Sequence, residues 1–227
     1  MNNDHVVVTI ARQYGSGGRT VGKMLAEKLG VSFYDKQIIQ MASDESGIDV
    51  KLFGQVEEGS SVKASLFNKT GLYKGDLIAP DQKGFVSDEN IFNYQAKIAT
   101  DLAEKESCVI VGKCADYVLK GRKNVVSIYI EAPRAFCLAR TMQRMKVSAD
   151  VAAATIENTD KYRADYYKYY TKGNYWTNPV NYDMTLNSEK VGIAGCVKMI
   201  EEYLVMKDLI TRDQILSEKM VKGEETK

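Results

Sequence analysis

The sequence has little with which to bind a metal or form a crosslink. Its 227 residues include one histidine, His5, and four cysteines, Cys108, Cys114, Cys137 and Cys196, with no C-x-x-C pair among them. These are too few ligands for a zinc site, and the thiols read as reduced and mostly buried. Also missing is any run of about 18 apolar residues, the length that a membrane-spanning helix requires. The stretch Met1-Asn2-Asn3-Asp4-His5 has neither the basic nor the apolar region of a signal peptide, so a cytoplasmic protein is expected. Excess charge is lacking as well: 31 Lys and Arg face 30 Asp and Glu. Such a chain has no global pull toward nucleic acid or anionic lipid, so any anion must be met by a local arrangement. With 44% hydrophobic and 27% charged residues, wholesale disorder and a disulfide scaffold are both excluded.

What is present is an alternation of short β-branched runs and helical periodicity. Val6 to Ile10 predicts a buried strand, and Val21, Met24, Leu25 and Leu29 fall on one helical stripe that Gly30 closes. Val31 to Tyr34 reads as a second strand, followed by a helix with Ile38, Ile39 and Ala42 inward. The pattern weakens from Gly54 to Asp88, with Gly59, Gly71, Gly75 and Gly84 among Ser and Lys, so that segment reads as a mobile insert. Asn90 to Glu106 is again helical. Cys108 to Val111 and Val125 to Ile130 are strand-length runs. Pro133 opens a helix to about Met145, Ser148 caps another, and Ser188 is expected to cap a helix carrying Val191, Val197, Ile200 and Leu204. Between them Asp183 to Leu186 is a last strand, and Leu209, Ile210, Ile215 and Leu216 predict a terminal helix packed on the body or on a second copy of the chain. Strands alternating with helices imply one parallel sheet covered on both faces.

Gly15-Ser16-Gly17-Gly18 lies between the first strand and the first helix. Loop amides and the positive end of the helix dipole then converge on one spot, and the glycines permit the close backbone approach that an anion nest needs. The stretch is not G-x-G-x-x-G, so a dinucleotide fold is the poorer match. Laid over G-x-x-x-x-G-K-[ST], Gly17 takes the second glycine place. Arg12, Gly18 and Arg19 take those of the first glycine, the lysine and the hydroxyl residue. Arg12 and Arg19 flank the nest, and guanidinium forks suit phosphate oxygens, so charge neutralisation can survive without the lysine.

The run Ala11-Arg12-Gln13-Tyr14-Gly15-Ser16-Gly17-Gly18-Arg19 resembles the loop S/A-R-Q-Y/F-G-S-G-G-R of a divergent cytidylate kinase-like branch of the P-loop nucleoside monophosphate kinases. The likeness continues through Leu25-Ala26-Glu27-Lys28-Leu29-Gly30 to Phe33-Tyr34-Asp35-Lys36. It resumes at Val109 to Asp116, similar to a D-G-R-D stretch in cytidylate kinases, and at Ile156 to Tyr170, similar to their lid helix. The resemblance implies an α/β, three-layer P-loop kinase-like parallel sheet with helices on both faces, in one domain over residues 1–227. Its core is 1–36, 90–145 and 180–206, with an acceptor-binding insert at 37–89, a lid at 140–172 and a C-terminal helical tail at 207–227.

It also implies transfer of the ATP γ-phosphoryl, with magnesium, to a nucleotide or nucleotide-like acceptor. The partner would be a small-molecule phosphate acceptor rather than nucleic acid or membrane, in a chain compatible with a homo-oligomer. On this reading Tyr14, Gly15, Ser16, Gly17, Gly18, Arg19 and Thr20 cradle ATP. Arg12, Arg19, Arg140, Arg144 and Arg163 neutralise the phosphates, with Lys161 beside them, and Asp35, Lys36, Lys113, Asp116 and Asp160 meet the acceptor. No side chain is assigned as a metal ligand; Thr20 is the nearest substitute for the missing hydroxyl, and magnesium is expected to rest mainly on phosphates and water.

The departures limit what carries over. Val111 and Lys113 replace the acidic residue and the arginine of D-G-R-D, and of the lid pattern R-D-x-x-D-x-x-R only Asp160 stands among Thr159, Asp160, Arg163 and Tyr166. Cytosine specificity is therefore not implied. A sensor that binds nucleotide through the altered loop without turnover is the alternative, and a scaffold using an aromatic surface is a third. Seven of the 14 tyrosines lie from Tyr162 to Tyr182 around Trp176, a density read as paving between the lid helix and the last strand.

Overall fold

The β-branched runs form five strands, β1 (Val7–Arg12), β2 (Ser32–Tyr34), β3 (Cys108–Val111), β4 (Val125–Glu131) and β5 (Met184–Asn187). In the computed structural model, which describes residues 5–58 and 76–215, they make one parallel sheet in the order β2-β3-β1-β4-β5. Side chains alternate across a strand, so each run serves two cores. Val8, Ile10, Val109, Val111, Ile128 and Ile130 face α1 (Gly18–Leu29), where Val21 and Leu25 are buried. Farther along the chain, α9 (Ile193–Met206) covers the same face with Cys196, Val197, Ile200 and Leu204. Val7, Ala11, Cys108, Ile110 and Tyr129 face the other way, into a core shared with α2 (Gln37–Ser46), α4 (Asp88–Lys105), α5 (Ala115–Val118) and α7 (Ala149–Tyr170). This is the expected three-layer α/β arrangement, with α3 (Val50–Glu58), α6 (Arg134–Met145) and α8 (Ser188–Val191) completing the helices among the described residues.

Local chemistry explains most boundaries. Gly30 ends α1 in the left-handed conformation, its N–H donating to the carbonyls of Ala26 and Glu27. Ser148 caps α7, as its position predicts. Ser87 caps α4, whose first turn carries Asp88 and Glu89. The buried Asn90 side chain then ties down the 76–87 loop, donating to the carbonyls of Ile78 and Phe85 and accepting from the Ile78 N–H. Nothing in the sequence pattern announces that clasp.

Two expectations need correction. Ser188 is not a cap: Asn187 accepts from the amides of Glu189 and Lys190, and Gly192, at φ 74°, separates α8 from α9. The Ser188 hydroxyl instead donates to the carbonyls of Ser16 and Glu131. The aromatic cluster joins α7 to the segment before the last strand, with Tyr167 and Tyr182 in one core, and also reaches beyond it. Tyr170 stacks on Phe92 of α4 at 4.0 Å, and Trp176 and Tyr182 pack on Tyr129 of β4. After Met206 the chain turns, and the described part of the helical tail expected at 207–227 forms a single 3-10 turn at Arg212–Gln214 instead, because polar residues interrupt the stripe and only Leu209 and Ile210 reach the core. Gly59, Gly71, Gly75 and Leu216 lie outside the described residues. No helix among the described residues is long and apolar enough to cross a membrane.

Candidate functional site

The C-terminal ends of β1, β2 and β3 open with α6 and α7 into a cleft of about 1420 Å³. An open parallel sheet presents residues to a ligand at this edge. The glycine loop forms one wall. Gly15 and Gly17 have φ of 83° and 89°, which lets the chain turn back from β1 into α1. Gly15 lies so close to α6 that a Cβ there would sit 2.7 Å from the Cys137 carbonyl oxygen. The N-cap of α1 is Gly17, without a capping side chain, so the first amides of that helix, at Gly18, Arg19 and Thr20, meet the cleft with the positive end of the dipole.

Cations gather in front of the loop. Asp35, just past β2, receives the Arg19 Nε–H at 2.6 Å and lies 3.8 Å from an Arg12 guanidinium nitrogen. Arg12 sits at the end of β1 with a side chain only 20% exposed. Burial, and after it the charge of Arg163, lowers its pKa to about 9. Lys113 follows β3 in a left-handed turn of Gly112, Lys113 and Cys114, with φ of 83°, 60° and 53°. Burial and the nearby Arg12 charge bring its ammonium down to about 7. Desolvation likewise lowers Arg163. Several positive charges are thus held out of water with few carboxylates between them, which is costly unless an anion completes the set.

Helices α6 and α7 supply the roof. Arg144 and Arg163 both lie over the Tyr14 ring, at 5.1 and 5.6 Å from its centroid. The Tyr14 amide donates to Asp160 at 2.8 Å, and Arg163 donates to Asp160 and to the Arg12 carbonyl. Asp160 is therefore a brace between α7 and the loop. Arg140 lines the cleft beside Gly17. The lining also includes Lys36, Ile39, Gln40 and Val50 at α2 and α3, and the aromatic Tyr162, Tyr166 and Trp176. Asp116, at the start of α5, accepts from the Tyr167 hydroxyl at 2.8 Å, and its desolvation raises its carboxyl to about 6.

Of the residues singled out from sequence, Arg12, Tyr14, Gly15, Gly17, Gly18, Arg19, Thr20, Asp35, Lys36, Lys113, Asp116, Arg140, Arg144 and Arg163 all line this one cleft. Ser16 and Asp160 stand behind it: the Ser16 hydroxyl donates to the Gln13 carbonyl, and Asp160 is engaged as above. Lys161 is not part of the lining and pairs with Asp165 at 2.8 Å on the exposed side of α7. Sequence reasoning missed Gly112, Thr141 and the cleft-facing role of Tyr166. The Thr141 and Tyr166 hydroxyls are buried without a hydrogen-bond partner among the described residues, a signal available only from packing.

The loop and its cations suit a triphosphate. Magnesium fits only in its company: among the described residues no cluster of three His, Cys, Asp or Glu side chains could hold an ion. The Thr20 hydroxyl and the arginine-bound Asp35 are the oxygen donors on that part of the lining.

Comparison with solved structures agrees with this fold. An uncharacterized protein from Eubacterium ventriosum superposes with a TM-score of 0.65 at 24% identity, over 88% of this chain and 98% of that one. A shikimate kinase from Bacteroides thetaiotaomicron gives a TM-score of 0.50 at 15% identity, over 88% and 98%. The shikimate kinase from Acinetobacter baumannii in complex with shikimate gives 0.51 at 14%, over 92% and 97%. These neighbours show a P-loop kinase-like fold. No curated protein matches the chain. A sequence model of the cytidylate kinase-like family, however, matches residues 7–190, a span that holds all five strands, the glycine loop and the whole lining of the cleft, and the chain belongs to that family.

Proposed function

We propose that the protein is an ATP-dependent phosphotransferase that moves the γ-phosphoryl of ATP to a nucleotide or nucleotide-like acceptor. The observation that carries this reading is the partly desolvated set of Arg12, Lys113 and Arg163 in front of an uncapped helix N-terminus. Cations kept out of water beside free amides are complementary to a polyphosphate, and phosphoryl transfer asks the protein mainly for positioning and charge neutralisation.

In this reading the amides of Gly18, Arg19 and Thr20 bind the β- and γ-phosphates, while Arg140, Arg144 and Arg163 cover them from α6 and α7. The acceptor enters from the α2 and α3 side. Tyr162, Tyr166 and Trp176 offer aromatic surface to a base, and Lys36 and Lys113 hold the acceptor phosphate. Its oxygen attacks the γ-phosphorus in line, the bond to the bridging oxygen breaks, and the charge that grows on that oxygen is met by the loop amides. An acceptor phosphate brings its own ionised oxygen, so no general base is required. Magnesium, bound with the triphosphate near Thr20, would supply further neutralisation of its charge. The roof and the aromatic wall keep water from the γ-phosphoryl.

The test is a turnover assay with ATP, magnesium and a panel of nucleoside monophosphates. Sustained ADP formation with at least one acceptor is expected, reduced about 100-fold or more by Arg19→Ala, a change at a half-exposed side chain. Binding of ATP without turnover on any acceptor would overturn the kinase reading in favour of a nucleotide sensor.

A further inference from the structure

The glycine loop carries Gly18 where the P-loop pattern has its lysine, and the structure gives a reason beyond simple loss. A Cβ added to Gly18 would lie 2.4 Å from the Cβ of Arg12, 3.0 Å from its Cγ and 3.2 Å from the Cβ of Ile130. The first atoms of any side chain at position 18 would therefore coincide with the stem of Arg12. At the far end of the same side chain, a Cβ added to Gly112 would lie 2.4 Å from an Arg12 guanidinium nitrogen. Gly112 also has a φ of 83°, which favours glycine. Two glycines, one opening α1 and one following β3, thus leave a slot that Arg12 fills from root to tip.

The slot fixes where the charge goes. Arg12 is the last residue of β1 and is paired in register with Ile130, so its backbone is held by the sheet. Its carbonyl accepts from Arg163, and its guanidinium lies 3.8 Å from Asp35. Asp35 is already engaged by Arg19 at 2.6 Å, so it neutralises Arg12 incompletely. Lys113, Arg163 and Arg19 add repulsion. A buried cation so surrounded is poorly explained as a stabilising device.

We propose that Arg12 takes over the task of the missing loop lysine: its guanidinium, routed between Gly18 and Gly112, is the cation that binds the β- and γ-phosphate oxygens of ATP. This rests on the phosphotransferase reading and adds to it that the lysine moved rather than vanished. A guanidinium brings two parallel donors where an ammonium brings a point charge, so the replacement fixes the orientation of the phosphates as well as neutralising them. It also makes the two positions mutually exclusive, because the stems compete for one volume.

That exclusivity supplies the test. ATP affinity in the presence of magnesium is measured by titration calorimetry for the full chain and its variants, with a thermal melt for each to establish folding. Arg12→Ala is expected to weaken binding about 10–100-fold, the loss of a charge-assisted contact. Gly18→Lys alone is expected to weaken binding too, although it restores the usual motif. The double variant Arg12→Ala with Gly18→Lys is expected to bind better than either single change, since the emptied slot then admits the lysine. Gly112→Ala should weaken binding in the wild-type background and have little further effect beside Arg12→Ala. If Arg12→Ala fails to fold, Arg12→Met keeps the stem and removes only the charge. Wild-type affinity in the charge-free variant, or undiminished affinity in Gly18→Lys, would overturn the proposal while leaving the kinase reading intact. A double variant no better than its folded single changes would also overturn it. Absence of any ATP binding by the wild-type protein would sink both.

Discussion

The Tyr167 hydroxyl donates to the Asp116 carboxylate at 2.8 Å on the inner wall of the cleft, and the bond does not compensate for burial. Asp116 is 8% exposed, and desolvation, the largest influence, lifts its carboxyl from 3.8 to about 6. Between these values the folded protein holds a proton that the unfolded chain has released. The contribution to stability is therefore full below pH 4 and lost as pH rises through 6. Asp116→Asn keeps an acceptor for Tyr167 and removes the charge. It should stabilise the protein by about 1–3 kcal/mol at pH 7.5, with the gain fading toward pH 4. Thermal melts across that range check the sign.

Lys113 titrates the opposite way. Its folded-state ammonium lies at about 7, well below the ordinary 10.5, so its contribution is present above that ordinary value and lost as pH falls toward 7. A bound polyanion restores the proton. Affinity for tripolyphosphate should consequently fall between pH 7 and 8.5, approaching tenfold per pH unit at its steepest, with net proton uptake on binding. Lys113→Met should flatten the profile. A pH-independent wild-type affinity would contradict this account.

Tyr14 organises two arginines through its ring, with Arg144 and Arg163 at 5.1 and 5.6 Å from the centroid. Tyr14→Leu should raise the KM for ATP about 3–30-fold, from loss of cation–π contacts worth about 0.5–2 kcal/mol. Tyr14→Phe keeps the ring and should stay close to wild type. Steady-state kinetics on both variants separates the ring from the hydroxyl.

Gly15 cannot accept a side chain in place. Gly15→Ala combines a φ of 83° with a contact of 2.7 Å to the Cys137 carbonyl, so the loop must draw away from α6. A loss of about 1–3 kcal/mol is expected in denaturant titrations, together with weaker triphosphate binding.

The strands were legible because β-branched runs of the right length lie between helical stripes, and Ser148 was a sound cap because its signal is local. The same locality made Ser188 misleading. A serine before an apolar helix looks like a cap, but the carbonyls of Ser16 and Glu131, far away in the chain, compete for its hydroxyl. Arg12 and the glycine loop stood out as motif residues, whereas Gly112 did not. Its importance comes from the Arg12 guanidinium reaching it across the β1–β3 pair, a relation no periodicity encodes. Asp160 was legible as a lone survivor of the lid pattern, yet its partner is the Tyr14 amide rather than the open cleft.

The Ser188 hydroxyl reaches the Ser16 carbonyl at 2.5 Å from just beyond β5. The turn that begins near the amino terminus is thus anchored by an element made late in translation. A nascent chain that has emerged only through β4 has every glycine of the cradle and the bonds of Ser16 and Ile130 to Gln13, but not the tie from Ser188. Nucleotide would then meet a finished receptacle only after β5 and Ser188 have left the ribosome.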